Sequence, residues 1–445
     1  MNAFIFYLFL VVGIIYMAHI GLYAVGANIH DILQFKKSAK NKKSSKRSNL
    51  PLVSVIVAAY NEELSIEKSL DTIVKSNYPR LEIIVIDDGS IDSTNDIVKN
   101  YMRRHNYNST SKFIRKMGDG TYVRIWHRSN VKRARTIRLM TKNNGGKSSA
   151  LNMALQKGVK GDFVMTLDAD SMLDKQAIRR AVKYFEDENV AGVAANVRVA
   201  ESLTMIGLLQ RFEHMIGYRS KKFYSMTSSE LIVGGVASTY RRSVLKQVNY
   251  YDTDTQTEDI GLSMKIAALG NKNYQLVYAP EVVAITQGVQ TFRALAKQRY
   301  RWKLGNMQNL IKYRQHFKTT NTGHSRMLTF YRVPMAYLSE VLLLLEPFML
   351  IYVVYLSFLL HSLTLFVGSY MVITAYVLSV IWPDEHFSLK EKVQLSSYAP
   401  IMYFVFYIMD IIQIAAIVRC LANPKKLTLK IHTDGRWISP ERHGF

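Results

Sequence analysis

The sequence contains one cysteine, Cys420, among its 445 residues. A single cysteine excludes an intramolecular disulfide and any zinc site built from cysteines, and it fits a reducing compartment. Acidic residues are also few, because 34 Asp and Glu oppose 58 Lys and Arg and leave a formal net charge of +24. Apolar residues make up 49% of the chain, so it is neither disordered nor a small stapled scaffold. The length allows a globular domain of ~200–250 residues and roughly 200 further residues.

Two common nucleotide-binding motifs are missing as well. No G-x-G-x-x-G follows the first predicted strand, and no G-x-x-x-x-G-K-[ST] occurs anywhere in the chain. The short run from Asn144 to Ser148, which contains Gly145, Gly146 and Lys147, is too brief for a P-loop. These absences argue against a nicotinamide enzyme and against a P-loop ATPase.

Charged residues are absent from residues 3–27, a run long enough to cross a bilayer, for which ~20 apolar residues suffice. A secretory signal peptide is the rival interpretation, but the run has no basic segment before it and exceeds a normal signal core. We therefore predict an uncleaved anchor. A basic cluster follows the run: Lys36, Lys37, Lys40, Lys42, Lys43, Lys46 and Arg47. Cytoplasmic flanks favour such clusters, so the N-terminus is expected to face outward.

Three further apolar runs occupy residues 333–360, 362–382 and 399–418. Glu340, Glu346 and Asp410 lie within them, and carboxylates at such depth should face protein, a water-filled path or the membrane interface, unless they are protonated. One N-terminal and three C-terminal spans would place the end of the chain outside the cell. Basic residues near that end argue for the inside: Lys425, Lys426, Lys430, Arg436 and Arg442. Either one run is re-entrant or the assumed N-terminal orientation is wrong.

Two stretches between the apolar runs have the spacing of amphipathic basic helices, residues 203–223 and 292–317. Such helices lie in a membrane interface, although ordinary surface helices of a soluble core have the same pattern. The predicted division of the chain is an N-terminal transmembrane anchor (1–29), a polybasic linker (30–49), a cytoplasmic domain (50–290), an interfacial amphipathic helix (291–330), C-terminal transmembrane segments (331–422) and a basic tail (423–445).

The middle of the chain alternates predicted strands with predicted helices. Short β-rich runs cover residues 53–58, 81–86, 122–126 and 162–167, with helical patterns between several of them. This alternation predicts an α/β fold with a mostly parallel sheet, in which ligands bind at the carboxyl ends of the strands. Polar clusters follow three of these strands: Tyr60 with Glu62, Asp87 with Asp88, and Asp168 with Asp170. We expect these clusters to form one rim.

Asp168 and Asp170 stand two residues apart at a strand end and therefore share a face, where both could address one divalent ion. Simple solvation of a strand end is the alternative. Lys147 suits a diphosphate as a compact charge, and it could equally be a solvated lysine. Glu258 and Asp259 open a helical pattern and could merely complement the helix dipole.

Gln298, Arg301 and Trp302 fall on one face of the second amphipathic stretch, at positions i, i+3 and i+4. An indole there can stack on a sugar ring while an arginine neutralises phosphate. A tryptophan that anchors the helix in the membrane interface is the other possibility.

The order of these motifs resembles that of the membrane-bound family 2 glycosyltransferases, the processive synthases of cellulose, chitin, hyaluronan and poly-N-acetylglucosamine. The motifs that carry the resemblance lie at residues 59–62, 87–90, 146–147, 168–170, 257–259 and 298–302. The resemblance implies a GT-A-type nucleotide-diphospho-sugar domain inserted between transmembrane helices. It also implies a UDP-sugar donor, a growing polysaccharide acceptor, and Mg²⁺ or Mn²⁺ as cofactor.

Roles for single residues follow from the same resemblance. Tyr60, Glu62, Asp88 and Asp87 would hold the uridine. Lys147 would meet the diphosphate, Asp168 and Asp170 would bind UDP and the metal ion, and Glu258 would contact substrate. Asp259 would be the general base. Three residues of the amphipathic helix would bind UDP and the acceptor sugar: Gln298, Arg301 and Trp302.

The closing residues 437–442 resemble the tail of bacterial poly-β-1,6-N-acetylglucosamine synthases, from which Glu441 and His443 depart. The opening of the last apolar run at Tyr398 and Pro400 is similar too. The resemblance therefore favours an inverting, processive synthase that polymerises N-acetylglucosamine from its UDP derivative. A hyaluronan or chitin-type synthase and a non-processive transferase to a lipid acceptor are the alternatives.

A non-enzymatic, polybasic membrane or nucleic-acid binder is the third possibility, but it leaves the acidic clusters unexplained, because carboxylates repel phosphate. The expected partners are the donor, the acceptor and the lipid bilayer, without nucleic acid; a small accessory membrane subunit is left open. The expected location is the cell membrane, multi-pass, with the catalytic domain in the cytoplasm.

Overall fold

The computed structural model describes residues 3–41, 50–105, 111–116, 122–130, 135–200, 202–317 and 323–427. For residues 35–41, 111–116, 122–130 and 316 it describes the backbone alone. The tail motif at 437–442 and most of the basic cluster after the first apolar run lie outside the described residues or side chains.

A ten-stranded mixed sheet forms the centre of the described part of the chain. Its strands are β1 (Val53–Ala59), β2 (Leu81–Asp87), β3 (Ser111–Lys116), β4 (Tyr122–Asn130), β5 (Arg135–Thr141), β6 (Phe163–Asp168), β7 (Ser171–Leu173), β8 (Val190–Val199), β9 (Ser238–Arg241) and β10 (Gln275–Thr286). Their order across the sheet is β3-β4-β5-β2-β1-β6-β9-β8-β10-β7. All four strands predicted from the sequence are present.

The sheet is parallel only in part. The pairs β5–β2, β2–β1, β1–β6 and β8–β10 run parallel, whereas β3–β4, β4–β5, β6–β9, β8–β9 and β10–β7 run antiparallel. The expectation of a mostly parallel sheet is therefore correct for β5, β2, β1 and β6 and for the pair β8–β10, and it is wrong for the edge strands and for β9, which lies inside the sheet antiparallel to both neighbours. Only five residues separate β3 from β4 and only four separate β4 from β5, and connections that short return the chain antiparallel.

Twelve α-helices accompany the sheet in the described residues. They are α1 (Ala3–Asn41), α2 (Ile66–Val74), α3 (Thr94–Arg104), α4 (Lys147–Lys157), α5 (Ala177–Tyr184), α6 (Met205–Met226), α7 (Arg242–Gln247), α8 (Glu258–Ala268), α9 (Phe292–Tyr313), α10 (Val333–Leu359), α11 (Thr364–Ile381) and α12 (Leu389–Leu421). Helices α2, α3 and α5 cover one face of the sheet, and α4, α7 and α8 cover the other. Strand β1 serves both cores because alternate side chains point to opposite faces: Val55 and Val57 pack on one side and Ile56 on the other.

Within the described ranges, four helical segments are long and apolar enough to cross a membrane: Ala3–Gln34, Leu328–Leu359, Thr364–Ile381 and Leu389–Leu421. Helix α1 continues to Asn41, so residues 30–41, expected to belong to a linker, are helical. Helix α12 begins ten residues before the predicted run at 399, behind a capping box formed by Ser388 and Glu391. The division of the chain into domains stays a prediction.

Both stretches predicted to be amphipathic are helices, α6 and α9. Helix α6 packs on β8 and β10 and on α1, and α9 packs along α12. One apolar cluster joins Leu209 and Phe212 of α6 and Leu295 of α9 to Ala399 and Met402 of α12. The two helices thus connect the sheet domain to the apolar helices, rather than covering a soluble core.

A buried ion pair links three adjacent strands of the sheet. The Glu82 carboxylate on β2 pairs with Arg138 on β5 and accepts a hydrogen bond from the Ser54 hydroxyl on β1. It also accepts from the backbone N–H groups of Lys160 (2.6 Å) and Gly161 (3.1 Å), just before β6. Because Glu82 is only 3% exposed, its charge depends on these partners.

Removing one member of this pair should destabilise the fold. Glu82→Ala would leave the Arg138 guanidinium buried without its carboxylate, and the expected loss of unfolding free energy is about 3–5 kcal/mol. Thermal unfolding of the detergent-solubilised protein measures it. The exposed pair Glu67–Arg104 supplies the control, since Glu67→Ala should cost less than about 1 kcal/mol. Equal shifts for both variants would contradict the role given to Glu82.

Candidate active site

The predicted site residues meet in one cavity at the carboxyl ends of the central strands. It has a volume of about 580 Å³ and lies where β1 and β6 end side by side, with Ala58 opposite Asp168. Eleven of the twelve residues expected from the sequence line it: Tyr60, Glu62, Asp88, Lys147, Asp168, Asp170, Glu258, Asp259, Gln298, Arg301 and Trp302. The expected rim of polar clusters is therefore present as a single site.

Asp87 is the exception, because its carboxylate is turned into the loop after β2. Its oxygens accept hydrogen bonds from the Ser90 backbone N–H at 2.9 Å and from the Asn95 side chain at 2.6 Å. These bonds shape the loop that presents Asp88, so Asp87 supports the site instead of contacting the cavity.

Asp88 lines the cavity and also holds the loop before α4. Its carboxylate accepts from the Lys142 ammonium (2.6 Å) and from the backbone N–H groups of Gly145 (3.1 Å) and Gly146 (2.8 Å). Gly146 has φ +86°, a left-handed conformation that costs little only for glycine, and it directs the start of α4 into the cavity. Gly145 and Gly146 therefore set the conformation of the loop before α4 and do not form a P-loop.

Lys147, the first residue of α4, lies among the carboxylates of the cavity. Its Nζ atom is 2.7 Å from Asp168 Oδ1 and 3.2 Å from Glu258 Oε1. Although burial alone would lower it, these two negative charges raise the pKa of Lys147 above its ordinary value. The side chain is therefore a permanent cation, and it joins α4, β6 and α8.

Asp259 lies in the first turn of α8, opposite Gly235. A Cβ atom at Gly235 would stand 3.2 Å from Lys147 Nζ and 3.5 Å from Asp259 Oδ2, so the ammonium and this carboxylate face the same small space. Loss of hydration, followed by the charge of the adjacent Glu258, raises the pKa of Asp259 to about 6. A carboxylate with such a pKa is suited to accept a proton near neutral pH.

Asp168 and Asp170 are the carboxylates that the sequence predicts to hold a divalent ion. The Asp168 side chain is 32% exposed in the cavity, and Asp170 accepts a hydrogen bond from the Ser171 hydroxyl at 3.1 Å. In the described part of the chain, no group of three or more His, Cys, Asp and Glu is placed to hold a metal ion. Mg²⁺ needs no such group, because one or two carboxylates commonly bind it together with substrate phosphates. The pair fits an ion whose coordination a nucleotide completes.

Helix α9 closes the opposite side of the cavity with Gln298, Arg301 and Trp302. The Gln298 Oε1 atom is buried without a hydrogen-bond partner, and buried polar atoms are rarely left so unless a ligand or water meets them. The Arg299 guanidinium packs on the Trp302 indole, with its Cζ atom 4.1 Å from the centroid of the indole ring. A cation below the ring fixes the indole's position.

Helix α9 also holds the start of α8. The Asn309 side chain donates to the Thr257 carbonyl at 3.0 Å, directly before Glu258 and Asp259. Gly305 permits this approach, since a Cβ atom there would lie 2.3 Å from Thr257 Oγ1. The motif at 257–259 and the motif at 298–302, which are remote in the sequence, therefore lie on helices that pack against each other.

Several residues of the cavity were not expected from the sequence. Glu213, which pairs with Arg299, and His214 both come from α6, and Gln413 comes from α12. The Arg299 Nε also contacts the Met409 sulfur of α12 at 3.4 Å. Gln413 is a polar residue within an apolar run, and this is the sequence feature that could have indicated its place in the cavity. The sequence of α6 indicated an amphipathic helix but not which of its residues line the cavity.

With this geometry established, comparisons with known proteins identify the family. The family described as "Glycosyltransferase like family 2" matches residues 51–305, more than half of the chain and all of the cavity's motifs. The chain belongs to this family. The family match confirms that the chain is a glycosyltransferase, as its motifs predicted.

Relatives extend the match into the apolar helices. The glycosyltransferase is 27% identical over 405 residues to the poly-beta-1,6-N-acetyl-D-glucosamine synthase of Staphylococcus epidermidis strain RP62A, covering 88% of this chain and 87% of that protein. The protein of the same name from Staphylococcus aureus strain COL is 28% identical over 292 residues, covering 65% and 62%.

A solved structure shares the fold. It is the mannosyltransferase PcManGT from Pyrobaculum calidifontis, in complex with GDP-Man and Mn²⁺, with a TM-score of 0.53 and 21% identity over 90% of this chain and 98% of that chain. The likeness confirms the expected GT-A-type fold.

Gly305 offers a test of the packing between α9 and α8. Gly305→Ala should push α9 away from Thr257, and a shift of about 1 Å at a catalytic group can cost on the order of 10²-fold in turnover. UDP release with a UDP-sugar donor measures the loss. Gly368→Ala on α11 is the matched control, since nothing lies within 4 Å of the added methyl group and Gly368 does not line the cavity, so turnover should not fall. Equal activity of both variants would contradict the packing argument.

The raised pKa of Asp259 predicts an acid limb in the rate profile. A general base works only when deprotonated, so turnover should fall about tenfold per pH unit below pH ~6 and level off above it. Turnover at saturating donor, measured from pH 5 to 8, checks this. A profile that stays flat down to the ordinary carboxylate range near pH ~4 would contradict the assignment.

Proposed function

We propose that this glycosyltransferase polymerises N-acetylglucosamine from UDP-N-acetylglucosamine into poly-β-1,6-N-acetylglucosamine at the membrane. The observation that carries the proposal is the composition of the active-site cavity: a permanent cation, a carboxylate with raised pKa, and the flat Trp302 ring. The similarity to synthases of this polymer over 88% of the chain supports the choice of product.

The donor would lie along the rim formed by β1, β2 and α4. Tyr60, Glu62 and Asp88 line the cavity just after β1 and β2 and would hold the uridine. The Lys147 ammonium and the Arg301 guanidinium would face the diphosphate, because both are cations on the cavity wall. A donor held at both ends presents its anomeric carbon to the space in front of Asp259.

Asp168 and Asp170 would hold Mg²⁺ or Mn²⁺. When bound, the ion would supply positive charge that stabilises the leaving diphosphate. In the described structure Lys147 contacts Asp168, so part of that charge already lies in place.

The transfer is a single displacement. The acceptor hydroxyl oxygen forms a bond to the anomeric carbon, the bond from that carbon to the UDP oxygen breaks, and the hydroxyl proton moves to the Asp259 carboxylate. Attack opposite the leaving group inverts the anomeric centre. General base catalysis of this kind contributes about 10²–10⁴-fold to the rate.

The acceptor would enter from the side of α9 and α12. Trp302 offers a flat ring for stacking on a sugar, and Gln298 Oε1 is a free acceptor for a sugar hydroxyl. Gln413 brings α12 to the same cavity, so a chain held there would leave along the apolar helices. Retention of the chain between additions is what processive synthesis needs.

The contacts of α12 support a cytoplasmic position for the end of the chain. Before α12, Asp384 pairs with Arg198 on β8. After it, the Lys426 carbonyl accepts from Gln308 on α9 at 2.8 Å. Both ends of α12 therefore meet the catalytic domain, as in a re-entrant helix. With α1, α10 and α11 crossing the membrane, the catalytic domain and the basic tail both face the cytoplasm, as the positive charges favour.

The product decides the proposal. Purified, detergent-solubilised protein is given Mg²⁺ with UDP-N-acetylglucosamine, with UDP-glucose, or with UDP-N-acetylglucosamine and UDP-glucuronate together, and UDP release is measured. We expect release with UDP-N-acetylglucosamine alone and a polymer cut by a β-1,6-specific hydrolase but not by chitinase. A requirement for both sugars would indicate hyaluronan, and a chitinase-sensitive polymer would indicate a chitin-type synthase. Single-sugar products on lipid would indicate a non-processive transferase.

Asp259→Asn serves as the matched inactive variant in the same assay. It keeps the shape of the side chain and removes its basicity, so polymer formation should be abolished while UDP binding, measured by calorimetry, stays nearly unchanged. A variant that still turns over would refute Asp259 as the base without refuting the product.

A further inference from the structure

A second cavity, of about 790 Å³, lies on the other side of α6 from the active site. Its walls come from β8, α6, the end of α11 and the part of α1 that follows its apolar run. Six of its lining residues are cations, Arg180, Lys183, Arg198, Arg211, Arg219 and Lys222, and five are acids, Asp31, Glu281, Asp384, Glu385 and Glu391. The proposed transfer reaction uses none of them.

Arg219 is a buried cation of this cavity that forms no contact ion pair in the described residues, and Asp31, which is paired with Lys222, acts on its charge only from beyond contact distance. Arg219 is 4% exposed, and its Nη2 donates to the Ala24 carbonyl at 3.2 Å and to Asn28 Oδ1 at 3.1 Å, both neutral oxygens. Within the described residues no carboxylate oxygen lies within 4.0 Å of its guanidinium, and its buried Nε has no hydrogen-bond partner. A buried charge without an opposite charge is costly, so this position favours an anion.

The neighbouring acids do not supply that anion. Asp31 is 2.7 Å from the Lys222 ammonium, and Asp384 pairs with Arg198. The buried Nε atom of Arg198 also has no partner and lies in the same cavity. Two guanidinium groups, on β8 and on α6, therefore each have a donor left over. Paired donors on arginines match the oxygens of a phosphate.

The position of the cavity indicates how such a phosphate could be presented. Val380 and Pro383, at the end of the apolar helix α11, form one wall, and Met215 and Phe387 add apolar surface. Cationic and apolar walls meet at the level where α1 and α11 leave their apolar segments. A phospholipid headgroup with the start of its acyl chains has this combination of charge and apolar surface.

We propose that this second cavity binds a phosphate group, held by the guanidinium groups of Arg219 and Arg198. The shared chemistry is a phosphate ester, which either an anionic phospholipid or a soluble phosphorylated compound can supply. The lipid source rests on the membrane placement proposed above, whereas the phosphate site itself does not depend on it or on the reaction catalysed.

Native mass spectrometry of the full-length protein, released from detergent without any sugar donor, tests the site and its source separately. For mass spectrometry, phosphatidylglycerol is added to one sample and phosphatidylcholine to another. In a separate measurement, thermal unfolding is followed with and without inorganic phosphate. We expect one phosphatidylglycerol to remain bound at collision energies that strip phosphatidylcholine. A thermal shift with inorganic phosphate, without selective retention of phosphatidylglycerol, would assign the site to a soluble phosphate compound.

Variants show whether the two arginines are responsible. Arg219→Gln and Arg198→Gln should each lower the retained phosphatidylglycerol roughly tenfold, the loss expected for one charge-assisted hydrogen bond. Arg198→Gln guards against misfolding, because it leaves the contacts of Arg219 with α1 intact. Arg103→Gln, which removes an equal charge from an exposed position on α3, should retain the lipid as the wild type does. The proposal would be overturned if both lipids were retained equally and inorganic phosphate left the unfolding temperature unchanged. It would also be overturned if both cavity variants bound as the wild type does.

Discussion

The contact of the Lys147 ammonium with the carboxylates of Asp168 and Glu258 is the interaction on which the site depends. Carboxylates that share a partly dehydrated cavity repel one another and favour protonation. A cation among them offsets this repulsion and joins the start of α4, the end of β6 and the start of α8. The raised pKa of Asp259 shows that the compensation is incomplete there, which leaves one carboxylate able to take a proton.

Helix α9 adds an aromatic and amide wall to this charged cavity. One face presents Gln298 and Trp302 to the cavity, while Asn309 fixes the segment before Asp259. Trp302 and Asp259 are therefore carried by one packed unit, so a movement of α9 would move both. The Arg299 side chain extends this unit to Glu213 on α6 and Met409 on α12.

Two buried arginines show how differently the protein treats charge near its apolar helices. Arg299 has a carboxylate partner and an aromatic ring over its guanidinium, so its charge is compensated within the fold. Arg219 is almost as deeply buried but bonds only neutral oxygens. The first arrangement is a structural element, and the second is the kind of site that a ligand completes.

The sequence by itself determined the elements and the chemistry they carry. Short β-rich apolar runs predicted β1, β2 and β6, long apolar runs predicted the apolar helices, and the order of acidic and aromatic motifs, by its resemblance to known enzymes, predicted a family 2 glycosyltransferase with its cavity residues. These features are local, since strand and helix periods and motif spacing are written along the chain.

Tertiary structure decided what depends on contacts between remote residues. It made the sheet mixed, because each connection sets the direction of the next strand. It separated Asp87, bound by Ser90 and Asn95, from Asp88, although the two are adjacent and chemically identical. It also brought Glu213 and Gln413 into the cavity and returned both ends of α12 to the catalytic domain. No sequence period encodes these pairings, because each arises from the packing of elements whose mutual position only the folded chain defines.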